Sequence, residues 1–313
     1  MGVSTSQATD HVKVAIIGSG FGGLGMAIRL KQDGDDDFVV FERAHEVGGT
    51  WRANRYPGAA CDVPSRLYSF SFAPNPEWTR SFSPQPEILD YLRGCADRFG
   101  VRPHIRFGTE VREAAWDDAA QRWRIETNGG SLTADVLVSA AGGPSEPKLP
   151  AIPGIERFEG TIMHSAEWNH DHPLDAERVA VVGTGASAIQ IVPAIQPKVA
   201  QVDVYQRTAP WVMPRNDREF SRVERVLYRR FPAVAQLARE TIYWAREGVD
   251  VGLRRPRLMR AVVQKIARAH IRRQVPPTSC ARSSTTKSSS PSCLRRIAMP
   301  SPPKPLPMIA TLT

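Results

Sequence analysis

Two short glycine-rich turns, at Gly18 and Gly183, constrain this chain more than any other feature. Residues 13–30, KVAIIGSGFGGLGMAIRL, read as strand, tight turn and helix. The apolar run Val14–Ile17 is what a buried parallel strand requires. Gly18, Gly20 and Gly23 fit G-x-G-x-x-G, with Phe21 between them. The first glycine permits the turn, the second lets backbone approach a pyrophosphate, and the third lets helix pack on strand. The helix N-terminus then faces the phosphates with the positive end of its dipole. The helix is expected to reach about Lys31; the acidic turn GDDD and the strand Phe38–Glu42 complete a βαβ unit. Glu42 ends that strand, where a carboxylate can accept hydrogen bonds from ribose hydroxyls.

The pattern then restarts. RVAVVGTGASAIQIV is again strand, turn and helix, and QVDVYQR supplies the next strand. Gly183, Gly185 and Ala188 fit the G-x-G-x-x-A variant. Gly18 to Glu42 is 24 residues, and Gly183 to Arg207 is also 24. Equal spacing predicts a guanidinium in the second unit where the first has a carboxylate. A carboxylate repels a 2′-phosphate, whereas an arginine grips one with paired hydrogen bonds. The first site therefore suits FAD or NAD, and the second NADPH, with Thr208 as an extra donor.

A chain of 313 residues has room for two domains. Its hydrophobic and charged content is that of a soluble globular protein. No apolar run is long enough to span a bilayer, and MGVSTSQATDHVK lacks a secretory core. The four cysteines form no CxxC pair, so a reduced, cytoplasmic setting is expected. The net charge of +9 is unevenly spread. Residues 1–214 carry 20 Lys and Arg against 26 Asp and Glu, while 215–273 carry 16 against 6. Such a basic block can serve an anionic partner or form a solvated arginine face. Tyr228, Phe231, Tyr243 and Trp244 are too few to build a base-stacking platform, so no nucleic-acid partner is expected.

Between the two units, residues 86–99 place Ile88, Leu89, Leu92, Ala96 and Phe99 on one helical face, with Gly100 as the stop. A strand meander follows over roughly 105–116, RWRIET and SLTADVLVSA, with NGG as its hairpin turn. Residues 217–273 read as helical, with Leu258, Val262 and Ile266 on one stripe. Residues 275–313 hold 8 Pro and 8 Ser and no acid, and are expected to be disordered.

Two further motifs carry a family resemblance. Gly49, Trp51, Tyr56, Pro57, Gly58 and Asp62 fit G-x-W-x-x-x-x-Y-P-G-x-x-x-D. Phe158, Gly160, His164 and Trp168 fit F-x-G-x-x-x-H-x-x-x-W, with Asn169 where Pro or Asp is usual. Over about residues 13–275 the chain resembles the class B flavin-dependent monooxygenases, and within them the Baeyer–Villiger type. The resemblance implies an α/β protein with two Rossmann-like dinucleotide-binding domains and a helical insert, the second domain incomplete. The expected parts are an FAD domain over 1–145, a connector over 146–175, a partial NADPH domain over 176–274, and the tail.

By resemblance, FAD would bind through Gly18, Gly20, Phe21, Gly23, Glu42, Gly49, Thr50 and Trp51. Asp62 and Tyr68 would lie near the flavin, and the backbone of Val111 near the adenine. NADPH would bind through Thr184, Gly185, Ser187, Arg207 and Thr208. O₂ would form a peroxyflavin that inserts oxygen into a ketone, or less often oxidises a sulfide. Asp62 would act in catalysis by orienting an arginine, though by itself an Asp in YPGAACDVPS could equally cap a turn. That arginine belongs to a basic pair beyond the insert, which Arg295 and Arg296 match only faintly, with no strand pattern around them.

Family members continue well past this point, so the expectation is a truncated, frameshifted and impaired enzyme with weak FAD binding. The alternative is a non-catalytic fragment whose basic helices bind anionic partners. A disulfide reductase is disfavoured because Cys61 has no close cysteine partner. His164, His170 and His172 lack a supporting ligand framework, so no metal is expected. His164 is left as a packed connector residue or a general base.

Overall fold

The structure, a computed structural model, describes residues 10–143, 147–207, 213–253, 256–274, 295–298 and 307–311. The chain divides into two compact units, residues 1–53 with 86–145, and 54–85 with 146–313. Residues 54–85, read from the sequence as part of a continuous first domain, therefore cluster with the second unit.

The first unit opens with β1 (Asp10–Ile17), α1 (Phe21–Gln32) and β2 (Phe38–Glu42), followed by α2 (Thr50–Ala53) and α3 (Gln85–Arg98). The strands β3 (Ile105–Phe107), β4 (Val111–Asp117), β5 (Arg122–Thr127) and β6 (Gly130–Ser139) complete one sheet of order β3-β2-β1-β6-β5-β4. β3, β2, β1 and β6 run parallel, and β5 and β4 continue as an antiparallel meander. Every residue of β2 is buried, as expected for a parallel strand covered on both faces. On α3, Ile88, Leu89, Leu92 and Ala96 are buried, and Phe99, just past its end, is half-buried. The hairpin turn pairs Thr127 with Gly130.

The second unit holds β7 (Ile162–His164), β8 (Arg178–Val182), α4 (Ala186–Ile195) and β9 (Gln201–Gln206). Three helices follow, α5 (Arg222–Arg230), α6 (Pro232–Leu253) and α7 (Pro256–Gln274), then β10 (Arg295–Ala298) and β11 (Pro307–Thr311). The sheet order is β10-β9-β8-β11-β7, with β10 antiparallel and the rest parallel. In both units the strand feeding the glycine turn is flanked on both sides, which places a switch point at its carboxyl end.

Two expectations change here. The tail contributes β10 and β11, because Arg-Arg-Ile-Ala and Pro-Met-Ile-Ala-Thr need no period of their own when a formed strand supplies the pairing. Arg295 and Arg296 thus do stand on a strand, opposite Gln206 and Tyr205. The fingerprint stretch is also more than a connector. Ile162–His164 forms β7, and Met163 and Trp168 join a core with Val179, Val181, Ile191 and Val202.

The insert differs from its expected polarity. Val262 and Ile266 are exposed, whereas Ala267 is buried, so the predicted stripe does not face inward. Leu258 lies outside the side chains described. α5 carries a capping box: Glu224 N–H donates to Ser221 Oγ at 3.2 Å, and Ser221 N–H donates to the Glu224 carboxylate at 2.9 Å. Arg218 donates to both Glu224 oxygens, at 3.0 and 2.7 Å. The Arg218 guanidinium and then the Ser221 amide hold the Glu224 carboxyl down at about 2. Its folded value is depressed, so its contribution is present above the unfolded value of 4.5 and lost as pH falls toward 2. Accordingly, Glu224→Gln is expected to melt earlier than wild type at neutral pH. Thermal melts at stepped pH check this: the gap between the two proteins should close across that acid window.

Among the described residues, no helix is long and apolar enough to cross a membrane.

Candidate dinucleotide sites

In the first unit the glycines have different jobs. Gly18 N–H donates to the Phe41 carbonyl at 2.8 Å, which closes the turn onto β2. A Cβ on Gly23 would fall 1.8 Å from the Gly18 carbonyl oxygen, so helix and turn meet backbone to backbone there. A Cβ on Gly20 would meet only the Gly49 Cα, at 3.7 Å. Gly20 is the N-cap of α1, no side chain caps the helix, and its first turn has no acid. That end is open to an anion.

The GGTW segment stands beside this opening. Gly48 N–H donates to the Ser19 carbonyl at 3.0 Å, and a Cβ on Gly49 would lie 3.0 Å from the Gly20 Cα. Thr50, exposed, and Trp51, half-buried, then begin α2. Phe21 stacks on Tyr91 with ring centres 6.2 Å apart.

Glu42 has a structural role that sequence reasoning missed. It is 5% exposed. One carboxylate oxygen accepts from Ser19 N–H at 2.9 Å and Ser19 Oγ at 2.6 Å, and the other from Ala44 N–H at 2.9 Å. A carboxylate has about four acceptor positions, so one remains for a ribose hydroxyl. Val111 starts β4 near the same strand end, since Thr109 N–H donates to the Glu42 carbonyl at 2.9 Å.

The second unit repeats the turn. Gly183 N–H donates to the Tyr205 carbonyl at 2.9 Å. Gly185 is the exposed N-cap of α4, again without a side-chain cap, and Thr184 and Ser187 are half-buried. The register corrects the spacing argument, however. Ile17 lies opposite Phe41, and Val182 opposite Tyr205. The residue in the place of Glu42 is therefore Gln206, and Arg207 is one position beyond β9. Equal counting misleads because the first unit reaches the same register with one residue more. Arg207 is exposed just past the strand, and Thr208 lies outside the described residues.

Asp62 and Tyr68 sit in the segment 54–85 of the second unit. Asp62 is exposed, and no described residue donates a hydrogen bond to its carboxylate, so it does not cap the turn. The insert grips this loop: Arg239 donates to the Arg66 carbonyl at 2.7 Å. The Arg66 guanidinium lies 3.4 Å from the Tyr228 ring centre and 4.4 Å from that of Phe220. Burial pulls its pKa below the usual arginine range.

Gln190 of α4 is a further residue missed. Its amide donates to the Ala60 carbonyl at 2.9 Å, and its oxygen accepts from Ala60 N–H at 3.2 Å and the Tyr56 hydroxyl at 3.1 Å. A glutamine in the otherwise apolar helix ASAIQIVPAI was the available signal, since buried amides need partners.

Cys61 is buried, and burial pushes its thiol up to about 11, which keeps it protonated at neutral pH. His164 is buried and its Nδ1 accepts from Ala166 N–H at 3.1 Å. Burial lowers its pKa, which favours this acceptor form. No group of His, Cys, Asp or Glu suited to a metal occurs among the described residues.

Residues 11–247 match the flavin-binding monooxygenase-like family. A Baeyer–Villiger monooxygenase of Streptomyces coelicolor is 60% identical over 241 residues, 77% of this chain and 46% of the relative. One from Pseudomonas aeruginosa is 50% identical over 273 residues, 87% of this chain and 52% of the relative. The chain thus spans about half the length of these curated relatives. Among solved structures, a cyclohexanone monooxygenase mutant from Rhodococcus sp. Phi1 bound to NADP+ is 35% identical with a TM-score of 0.67. It aligns over 72% of this chain and 44% of its own. An oxidised steroid monooxygenase bound to NADP is 40% identical with a TM-score of 0.65, over 70% of this chain and 43% of its own. With three quarters of its length matched, the chain belongs to the flavin-binding monooxygenase-like family.

Proposed function

We propose that the first unit holds FAD and the second NADPH, and that the protein acts in oxygen insertion into a ketone, or in sulfide oxidation. The observation that carries this is the pair of open helix N-termini at two switch points, one beside an acid and one beside an arginine. The flavin, reduced by NADPH, would supply the electrons and the centre at which O₂ is activated. The chain's own residues bind and orient. The open end of α1 takes the FAD pyrophosphate, and Glu42 offers its remaining acceptor to the ribose. The open end of α4, with Thr184 and Ser187, takes the NADPH pyrophosphate. Arg207, beyond the strand end, reaches for the 2′-phosphate as a charged donor pair. Asp62 keeps its carboxylate unengaged and available to orient a cationic group.

The relatives support this reading through their names, and the NADP-bound neighbours through their contents. The test is the absorption spectrum of the purified chain after loading with FAD and gel filtration. The expected result is a yellow protein whose flavin band fades with NADPH without air and returns with O₂. A colourless protein after loading would overturn the assignment of the first unit.

A second reading rests on the insert. Val223 is 77% exposed and Val226 56% exposed on α5, whose nine residues include four arginines and one acid, a pattern that suits an anionic partner. Salt-sensitive binding of the unloaded chain to anionic vesicles would favour it.

A further inference from the structure

We propose that Gln190 is a positioning residue that couples dinucleotide binding at the N-terminus of α4 to the placement of Asp62. This rests on the reading of α4 as the NADPH helix. Ser187 and Gln190 are three residues apart, so they share one face of α4. The Tyr56 hydroxyl donates to Gln190 Oε1 at 3.1 Å, and the Ser187 side chain is close enough to pull against the rise that burial gives the Tyr56 pKa. The Gln190 amide then holds Ala60 by donor and acceptor at once, as a strand neighbour would. Only one amide orientation serves, because a flip would set its NH₂ against Ala60 N–H and its oxygen against the Ala60 carbonyl. The loop also rests on the helix backbone: Gly58 has φ +81°, and a Cβ there would lie 2.6 Å from the Gln190 carbonyl oxygen. Asp62 follows two residues after Ala60, with Cys61 N–H tied to the Ser83 carbonyl at 2.9 Å. Tyr56 and Gln190 are both buried, so the link is shielded from water. A ligand that orders Ser187 therefore orders Tyr56, Gln190 and Ala60 in turn, and with them the base of Asp62.

The experiment is hydrogen exchange on the full chain with and without NADP+, read over residues 183–190 and 56–65. In wild type, NADP+ is expected to slow exchange in both segments, by about fivefold or more in 56–65. In Gln190→Leu, NADP+ still protects 183–190, but the protection of 56–65 is lost. Tyr56→Phe, which keeps the ring and the Ala60 pair, is expected to lose part of it. Gln190→Glu supplies a readout that packing alone does not move. Its neutral acid can both donate and accept, but its carboxylate cannot donate, so the coupling returns as pH is lowered. Protection of 183–190 without any in wild-type 56–65 would overturn the coupling while leaving the NADPH site intact. No protection in 183–190 would overturn the NADPH reading and the coupling together.

Discussion

Gly23→Ala is expected to cost the first unit about 3 kcal/mol or more and to abolish FAD retention. The new methyl would fall 1.8 Å from the Gly18 carbonyl oxygen and 2.9 Å from its carbon. Both are backbone atoms, and neither can swing aside. Gly18 is itself tied to Phe41, and α1 is seated on the sheet through buried Leu24, Ala27 and Ile28. Relief would require the helix to lift off the strand, opening a gap in a close-packed core. Gly20→Ala is the informative partner. Its methyl would meet only the Gly49 Cα at an ordinary 3.7 Å, so stability should change by less than about 1 kcal/mol. Flavin binding should nevertheless fall, because in the proposed site that methyl stands on the side from which the pyrophosphate approaches. Chemical denaturation gives the stabilities, and quenching of free FAD fluorescence gives the binding. Equal destabilisation by both variants would refute the division of labour between the two glycines.

Glu42→Ala is expected to destabilise the chain by about 3 kcal/mol even without FAD. Removal of the carboxylate strands Ser19 N–H, the Ser19 hydroxyl and Ala44 N–H, and Ser19 is fully buried. Each buried donor left without a partner costs about 1–3 kcal/mol, partly offset where water enters. Glu42→Gln should fall between, because its oxygen can serve one side while its NH₂ faces donors on the other. Urea denaturation of the FAD-free proteins measures this. A ribose ligand alone would leave the free chain's stability unchanged, so a neutral Glu42→Ala would show that the turn does not depend on this carboxylate.

The unequal legibility of the site has a physical pattern. Glycine turns, helix caps and buried strand runs depend on neighbours in sequence, and residues 13–42 and 178–206 could be read from their own periods. What failed was long-range. Counting sets Arg207 equal to Glu42, but the hydrogen-bonded ladder places Gln206 there. Val262 and Ile266 formed a clean apolar stripe, yet they are exposed, because a helical period states that two faces differ and not which one finds a partner. β10 and β11 carry too little pattern to announce themselves, and they exist by pairing with β9, β8 and β7.

Two dinucleotide-type βαβ units, their order, and the GGTW and fingerprint motifs with the family they point to are all legible from the residues alone. All of these rest on local backbone requirements that a few residues satisfy or do not. Folding was needed to reveal that Glu42 anchors its own turn, that residues 54–85 cluster with the second unit, and that Gln190 holds the segment leading to Asp62. Each of these is a hydrogen bond or contact between residues far apart in the chain. Its partners become known only once the sheets are in register.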